Sequence, residues 1–131
     1  MRFSMSWVIK DGCDRNGGSS HVADWGEVWA KLVRLGSNPG SVSLNIIDVA
    51  AMSPFRISVE TDVRNYLVTL LEEVEDDTEV RSYSNPAARE EMVELLGDYW
   101  DARLLTSDFE FVCMMFKEFF ETGDVSRQWL N

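Results

Sequence analysis

The side chains with the most reactive chemistry in this chain are gathered near its start: Cys13, Asp14 and His21, the only histidine, in and just beyond the run DGCDRNGGSS. A thiol near an imidazole is the pairing that nucleophilic catalysis uses, because the ring can take the proton that turns the thiol into a thiolate. The same two groups are also transition-metal ligands. Neither chemistry is completed here, since no third orienting residue and no second ligand pair occurs at a recognised spacing. Gly17-Gly18-Ser19-Ser20 lacks the lysine and the strand-to-helix frame with which a glycine-rich loop cradles phosphate. Asp11 to Ser20, with three glycines, therefore reads as a flexible loop.

Carboxylates are the second chemical resource. One cluster comprises Glu72, Glu73, Glu75, Asp76, Asp77 and Glu79. Another comprises Glu90, Glu91, Glu94, Asp98 and Asp101 and surrounds Tyr99 and Trp100. Paired carboxylates can act as general acid and base, but nothing in either spacing fixes two of them at a catalytic separation. Two readings remain for each cluster: a surface that binds a cationic partner, or a solvated face that keeps a turn in water.

The elements that must hold these residues are legible from periodicity. Phe3, Met5, Trp7 and Ile9 alternate with polar residues, as in a half-buried strand. Asp24 and Glu27 form an acidic capping box ahead of Trp25, Val28, Trp29, Leu32 and Leu35, which recur at helical steps and stop at Gly36. The two tryptophans are assigned to the core. Strands follow over Ser41 to Val49, Phe55 to Thr61, Arg64 to Glu73 and Val80 to Tyr83, the last two joined by an acidic hairpin tip around Asp76-Asp77. Asn85-Pro86 looks like a cap and first residue of a short helix ending at Leu96-Gly97, with Ala88, Met92, Leu95 and Leu96 on one side. Tyr99 to Leu105 resumes a weak alternation and is expected to be a last strand feeding the C-terminal helix.

The strongest signal is Thr106 to Gly123, TSDFEFVCMMFKEFFETG. Ser107 with Glu110 predicts a capping box, Gly123 predicts a left-handed helix stop, and Phe109, Val112, Cys113, Phe116, Phe119 and Phe120 share one face. Five phenylalanines on one helix require a large partner surface, because burying each contributes about 1.5–3 kcal/mol. Val125, Trp129 and Leu130 predict a tail tucked against the fold. The order predicts a single α+β domain over residues 1–131: an antiparallel β-meander sheet packed by an N-terminal helix and a long C-terminal helix.

Composition bounds the function. The formal charge is −11, from 23 acidic against 12 basic side chains. That surplus opposes direct contact with nucleic acid or an anionic membrane and favours a cationic protein partner. No signal peptide or membrane span is visible in the sequence, and Cys13 and Cys113 lack paired spacing. A cytoplasmic protein with two free thiols and no cofactor is expected.

The ending, Phe116-Lys117-Glu118-Phe119-Phe120-Glu121-Thr122-Gly123-Asp124-Val125-Ser126 followed by Trp129, resembles the C-terminus of bacterial Imm1-type immunity proteins. Length, acidity and the order of elements are similar over the whole chain. The resemblance implies cytoplasmic neutralisation of a polymorphic toxin domain, often a nuclease or deaminase, and it carries over no catalytic residue. The expected partner surface is therefore the two acidic clusters, with Tyr99 or Trp100 as aromatic anchor. An adaptor in a host complex and a small enzyme using carboxylates with His21 are the alternatives.

Overall fold

The computed structural model describes residues 1–131 and contains nine strands, two α-helices and one short 3-10 helix, Ala102–Leu104. In order they are β1 (Phe3–Asp11), β2 (Asp14–Val22), α1 (Trp25–Leu35), β3 (Gly40–Ile46), β4 (Pro54–Thr61) and β5 (Tyr66–Val74), then β6 (Asp77–Ser82), β7 (Met92–Leu95), β8 (Asp98–Asp101), β9 (Leu105–Thr106) and α2 (Phe109–Thr122). Six strands lie side by side in the order β2-β1-β3-β4-β5-β6. Short β9 joins β5 at residues that β6 leaves unpaired, and β7 with β8 forms a separate hairpin. Every pairing is antiparallel. The α+β architecture is the expected one.

Alternation along the strands divides the sheet into two unlike faces. One carries Phe3, Met5, Ile9, Val42, Leu44, Ile57, Val59, Val68 and Leu70, all buried against Val28, Leu32 and Leu35 of α1 and Val112, Met115, Phe116 and Phe119 of α2. The other carries a row of hydroxyls in continuous register, Ser19, Ser6, Ser43, Ser58, Thr69 and Ser82. Ser43 and Ser58 are hydrogen-bonded at 2.8 Å. Only one end of this polar face is covered, where Leu67 packs with Leu95 and Leu105 beneath the β7–β8 hairpin.

Both helices are capped at both ends. Asp24 accepts from the Glu27 N–H and the Glu27 carboxylate accepts from the Ala23 N–H, so the acidic box at the start of α1 forms. For α2 the cap is Asp108, not Ser107: its carboxylate accepts from Phe111 N–H at 3.1 Å. A carboxylate also complements the positive end of the helix, which a hydroxyl does not. Gly123 closes α2 in the left-handed conformation at φ 82°, its N–H donating to the Phe119 carbonyl.

Two expected elements are corrected. Asp11 to Ser20 is largely strand, because β2 pairs residue for residue with β1 around a turn at Gly12-Cys13. Its side chains face solvent, so it lacks the apolar alternation that would reveal a strand. Gly18 is needed there: a β-carbon would sit 2.8 Å from the Trp7 ring, which lies across it. The short helix over Asn85 to Leu96 is absent, and Met92 to Asp101 forms the β7–β8 hairpin instead. Leu96 and Gly97, at φ 51° and 93°, occupy its two-residue turn with the paired positive dihedrals that match the twist of a hairpin. Smaller differences concern β3, which ends at Ile46 and leaves Ile47 and Val49 exposed, and Trp29, which is 45% exposed rather than core.

The tail folds back as expected. Val125 and Leu130 are buried, and the reason is Arg81, whose side chain is wholly buried. Its guanidinium donates to the carbonyls of Val125 (2.6 Å) and Leu130 (3.0 and 3.1 Å) and pairs with Asp124 at 2.9 Å. Glu72, 3.5 Å away, adds a second carboxylate.

Candidate functional site

The β7–β8 hairpin is the element that presents most of the second acidic cluster. Its inner face is fastened: Val93, Leu95 and Trp100 pack with Leu67, Leu104 and Leu105 over the end of the sheet. Its base is fastened too. Asp101 accepts from Arg103 at 2.7 and 3.1 Å and from the Arg103 backbone N–H at 3.0 Å, and Glu90 pairs with the same guanidinium at 3.5 Å. The hydrogen-bonded Arg103 guanidinium holds the Asp101 carboxyl below the usual carboxylate range.

Alternation places Met92, Glu94 and Tyr99 on the outer face, where Glu94 and Tyr99 are cross-strand partners. Met92 and Tyr99 are 62% and 67% exposed. Asp98, opposite Leu95, turns inward to a cleft of ≈ 280 Å³ between the hairpin tip and the polar face of the sheet. Lys10, Arg15, Glu60 and Leu96 also line this cleft. Trp100 is not an outward anchor, since it faces the small core beneath the hairpin and its indole N–H is buried without a partner. Tyr99 alone of the two expected anchors meets solvent.

The first cluster is divided by the pleat. Glu72, with its side chain 13% exposed, faces Arg81 and also pairs with Arg127 at 3.1 Å, so it belongs to the internal clasp rather than to a binding surface. Glu79 is its cross-strand neighbour and is exposed. Glu75 and Asp76 form the hairpin turn, one residue earlier than expected. Glu73, Asp76 and Asp77 line an open cleft of ≈ 480 Å³ with Val49 and Phe55. The two clusters sit toward opposite ends of β5, roughly 25 Å apart at the rise of a strand, and the fold does not merge them.

Cys13 and His21 are also separated. They stand at the two ends of β2, again roughly 25 Å apart, so they cannot act as nucleophile and base on one substrate. Both cysteines are free, Cys13 exposed and Cys113 buried under α2. No group of three or more histidine, cysteine, aspartate or glutamate residues is placed to hold a metal ion. No helix is long and apolar enough to cross a membrane.

Sequence reasoning missed Arg81 and the Arg103 network. Arg81 lies in the predicted strand Val80 to Tyr83, where nothing in the run marks a basic residue as buried. Only the register, which sets Arg81 directly opposite the core residue Leu70, places it on the buried face.

Fold and geometry together define a single-layer antiparallel sheet with two helices on one face, a mostly open polar face, and an overhanging acidic hairpin. The chain belongs to DUF6911, a family of unknown function whose model matches residues 6–129. A solved structure of the same fold, described as a hypothetical protein from Neisseria gonorrhoeae, superposes with a TM-score of 0.79 at 15% identity, covering 95% of this chain and 90% of that one. No curated protein matches the sequence.

Proposed function

We infer that the chain is a non-catalytic, immunity-type binding protein that captures a cationic protein, a nuclease- or deaminase-like toxin domain, in the cytoplasm of the cell that makes it. The observation that carries this reading is the outer face of the β7–β8 hairpin, where Tyr99 stands 67% exposed beside Glu94 on a scaffold fastened from below. An aromatic anchor on a rigid support, ringed by charge, is the arrangement from which slow dissociation comes. Carboxylates around it, Glu90, Glu91 and Glu94, match the lysines and arginines that a nucleic-acid-processing enzyme presents to phosphate. The net charge of −11 accelerates encounter with such a surface. The likeness of the C-terminal segment to Imm1-type immunity proteins agrees with this assignment.

Co-expression with any nuclease- or deaminase-like toxin domain that the neighbouring genes encode tests it. Growth should be rescued by the unmodified chain and lost with Tyr99→Ala combined with Glu94→Lys, while circular dichroism of that variant stays unchanged. Rescue undiminished by the double variant would remove the hairpin from the interface. Tight binding with no rescue would identify an adaptor instead.

A further inference from the structure

The two edges of the main sheet are guarded differently. Strand β6 has six residues, Asp77 and Glu79 among them, and the carbonyl of its last residue, Ser82, already accepts from the Asn131 N–H at 3.2 Å. Shortness, charge and a covering segment are devices that keep an edge from pairing with another chain. Strand β2 has none of them. It is nine residues long, runs along β1 without a register shift and contains no proline, and Asn16-Gly17-Gly18-Ser19-Ser20 at its centre is uncharged. The N–H and C=O groups of its outer edge have no partner strand. Charge selects the partner. A chain of formal charge −11 repels its own kind over most of its surface. Around β2 the signs are mixed: Lys10 stands opposite Arg15, Lys31 lies 4.1 Å over the Trp7 ring, and Arg34 meets Asp11 at 4.0 Å, with Asp14 and Glu27 nearby. The acidic β5–β6 turn is four strands away, roughly 19 Å at the spacing of a sheet. Two copies can meet at β2 without bringing those carboxylates together.

We propose that β2 pairs antiparallel with β2 of a second copy of this chain about a two-fold axis, joining the two sheets into one. Opposed residues in such a pair share a sheet face, so the axis passes through a residue, and only Gly18 at the centre lets all nine residues of β2 pair. Gly17 then stands opposite Ser19 of the other copy, Asn16 opposite Ser20 and Arg15 opposite His21. Above the inner face the same axis sets the two α1 helices antiparallel. Lys31 marks where the axis passes, because it covers Trp7 and Trp7 lies across Gly18. Glu27 and Arg34, one turn to either side of Lys31, share its side of the helix. Glu27 accepts from the Ala23 N–H beside the Val22 end of β2, whereas Arg34 reaches Asp11 at the opposite end. Two-fold symmetry therefore directs Glu27 of each copy toward Arg34 of the other. Each α1 packs over β1 and its neighbours, so the helices stand about three strand spacings apart, roughly 14 Å. A glutamate and an arginine reaching from opposite sides span that gap.

Sedimentation equilibrium and light scattering on the full chain test this. The parent should reach twice the chain mass of 15.0 kDa. Gly17→Lys combined with Ser19→Lys sets like charges directly opposite each other across the axis and should give a monomer with the parent's circular dichroism. Arg34→Glu should weaken dimerisation at least about tenfold, and adding Glu27→Arg should restore it. Within one copy these two residues are two helical turns apart and do not touch, so restoration reports a contact between copies. A parent chain that stays monomeric up to about 1 mM would overturn the proposal. A dimer that survives the paired lysines would overturn it by placing the interface elsewhere, and a charge swap that fails to restore association would overturn the two-fold arrangement about Gly18.

Discussion

Arg81 is the residue on which local stability turns. A guanidinium with no exposed surface is tolerated because three oxygens, from Val125, Leu130 and Asp124, lie within 3.1 Å of it. Truncating it leaves the Val125 and Leu130 carbonyls without their donor, at about 1–3 kcal/mol for each buried group left unsatisfied, whereas the half-exposed Asp124 carboxylate returns to water. Arg81→Ala should therefore lower the urea midpoint by a large fraction of total stability, as read by tryptophan fluorescence. Cys113 supplies a pH dependence. Burial, followed by the nearby Glu110 charge, pushes its thiol from 9.0 up to about 11. Between those values the unfolded chain releases this proton and the folded one retains it, so its contribution is intact below pH 9 and is lost as pH rises toward 11. Tyr66, raised by burial and then by the Cys113 and Asp62 charges, acts in the same direction. Stability measured by denaturant titration should fall across that alkaline interval, and Cys113→Ala should flatten the fall. Cys13, exposed, should react with a thiol reagent in the native state while Cys113 reacts only on unfolding.

At the scale of elements, the start of α2 offers a direct comparison between two adjacent candidates for the same cap. Asp108→Ala should cost about 1 kcal/mol and Ser107→Ala close to nothing, a difference measurable in chemical denaturation. Sequence alone favoured Ser107 because serine and Glu110 fit the capping-box spacing. Only the observed hydrogen bond to Phe111 N–H separates the two. Helices and inner strands were legible because a buried face writes its period into the chain: Val28, Leu32 and Leu35 in α1, or Val42 and Leu44 in β3. Strand β2 was not, since an edge strand with solvent on both sides of its pleat buries nothing and carries no period. The β7–β8 hairpin was hidden differently. Ala88, Met92, Leu95 and Leu96 happen to fall at helical steps, yet only Leu95 is buried, with Val93 two residues before it as its partner in the core. Tyr99 was recognisable as a candidate from its acidic neighbours, whereas the inward turn of Trp100 and the loss of Glu72 to Arg81 depend on pleat and register.

Over the whole molecule the acidic surface is bipolar: one carboxylate group surrounds the β5–β6 turn and another the overhanging hairpin, at opposite ends of the sheet. On the proposed binding reading Tyr99 is the anchor and it stands at the hairpin, so the far tip should influence how fast a cationic partner arrives rather than how long it stays. Reversing Asp76, Asp77 and Glu79 to lysine should slow association severalfold and flatten its salt dependence, with little change in dissociation, in a stopped-flow or surface-based kinetic measurement. The clasp around Arg81 has a further effect in time. Its carbonyl acceptors stand 44 and 49 residues later in the chain. Until that segment has been synthesised the Arg81 guanidinium stays in water, because an unpaired charge is costly to bury. Strand β6, which carries Arg81, reaches its final place only when the guanidinium meets those carbonyls.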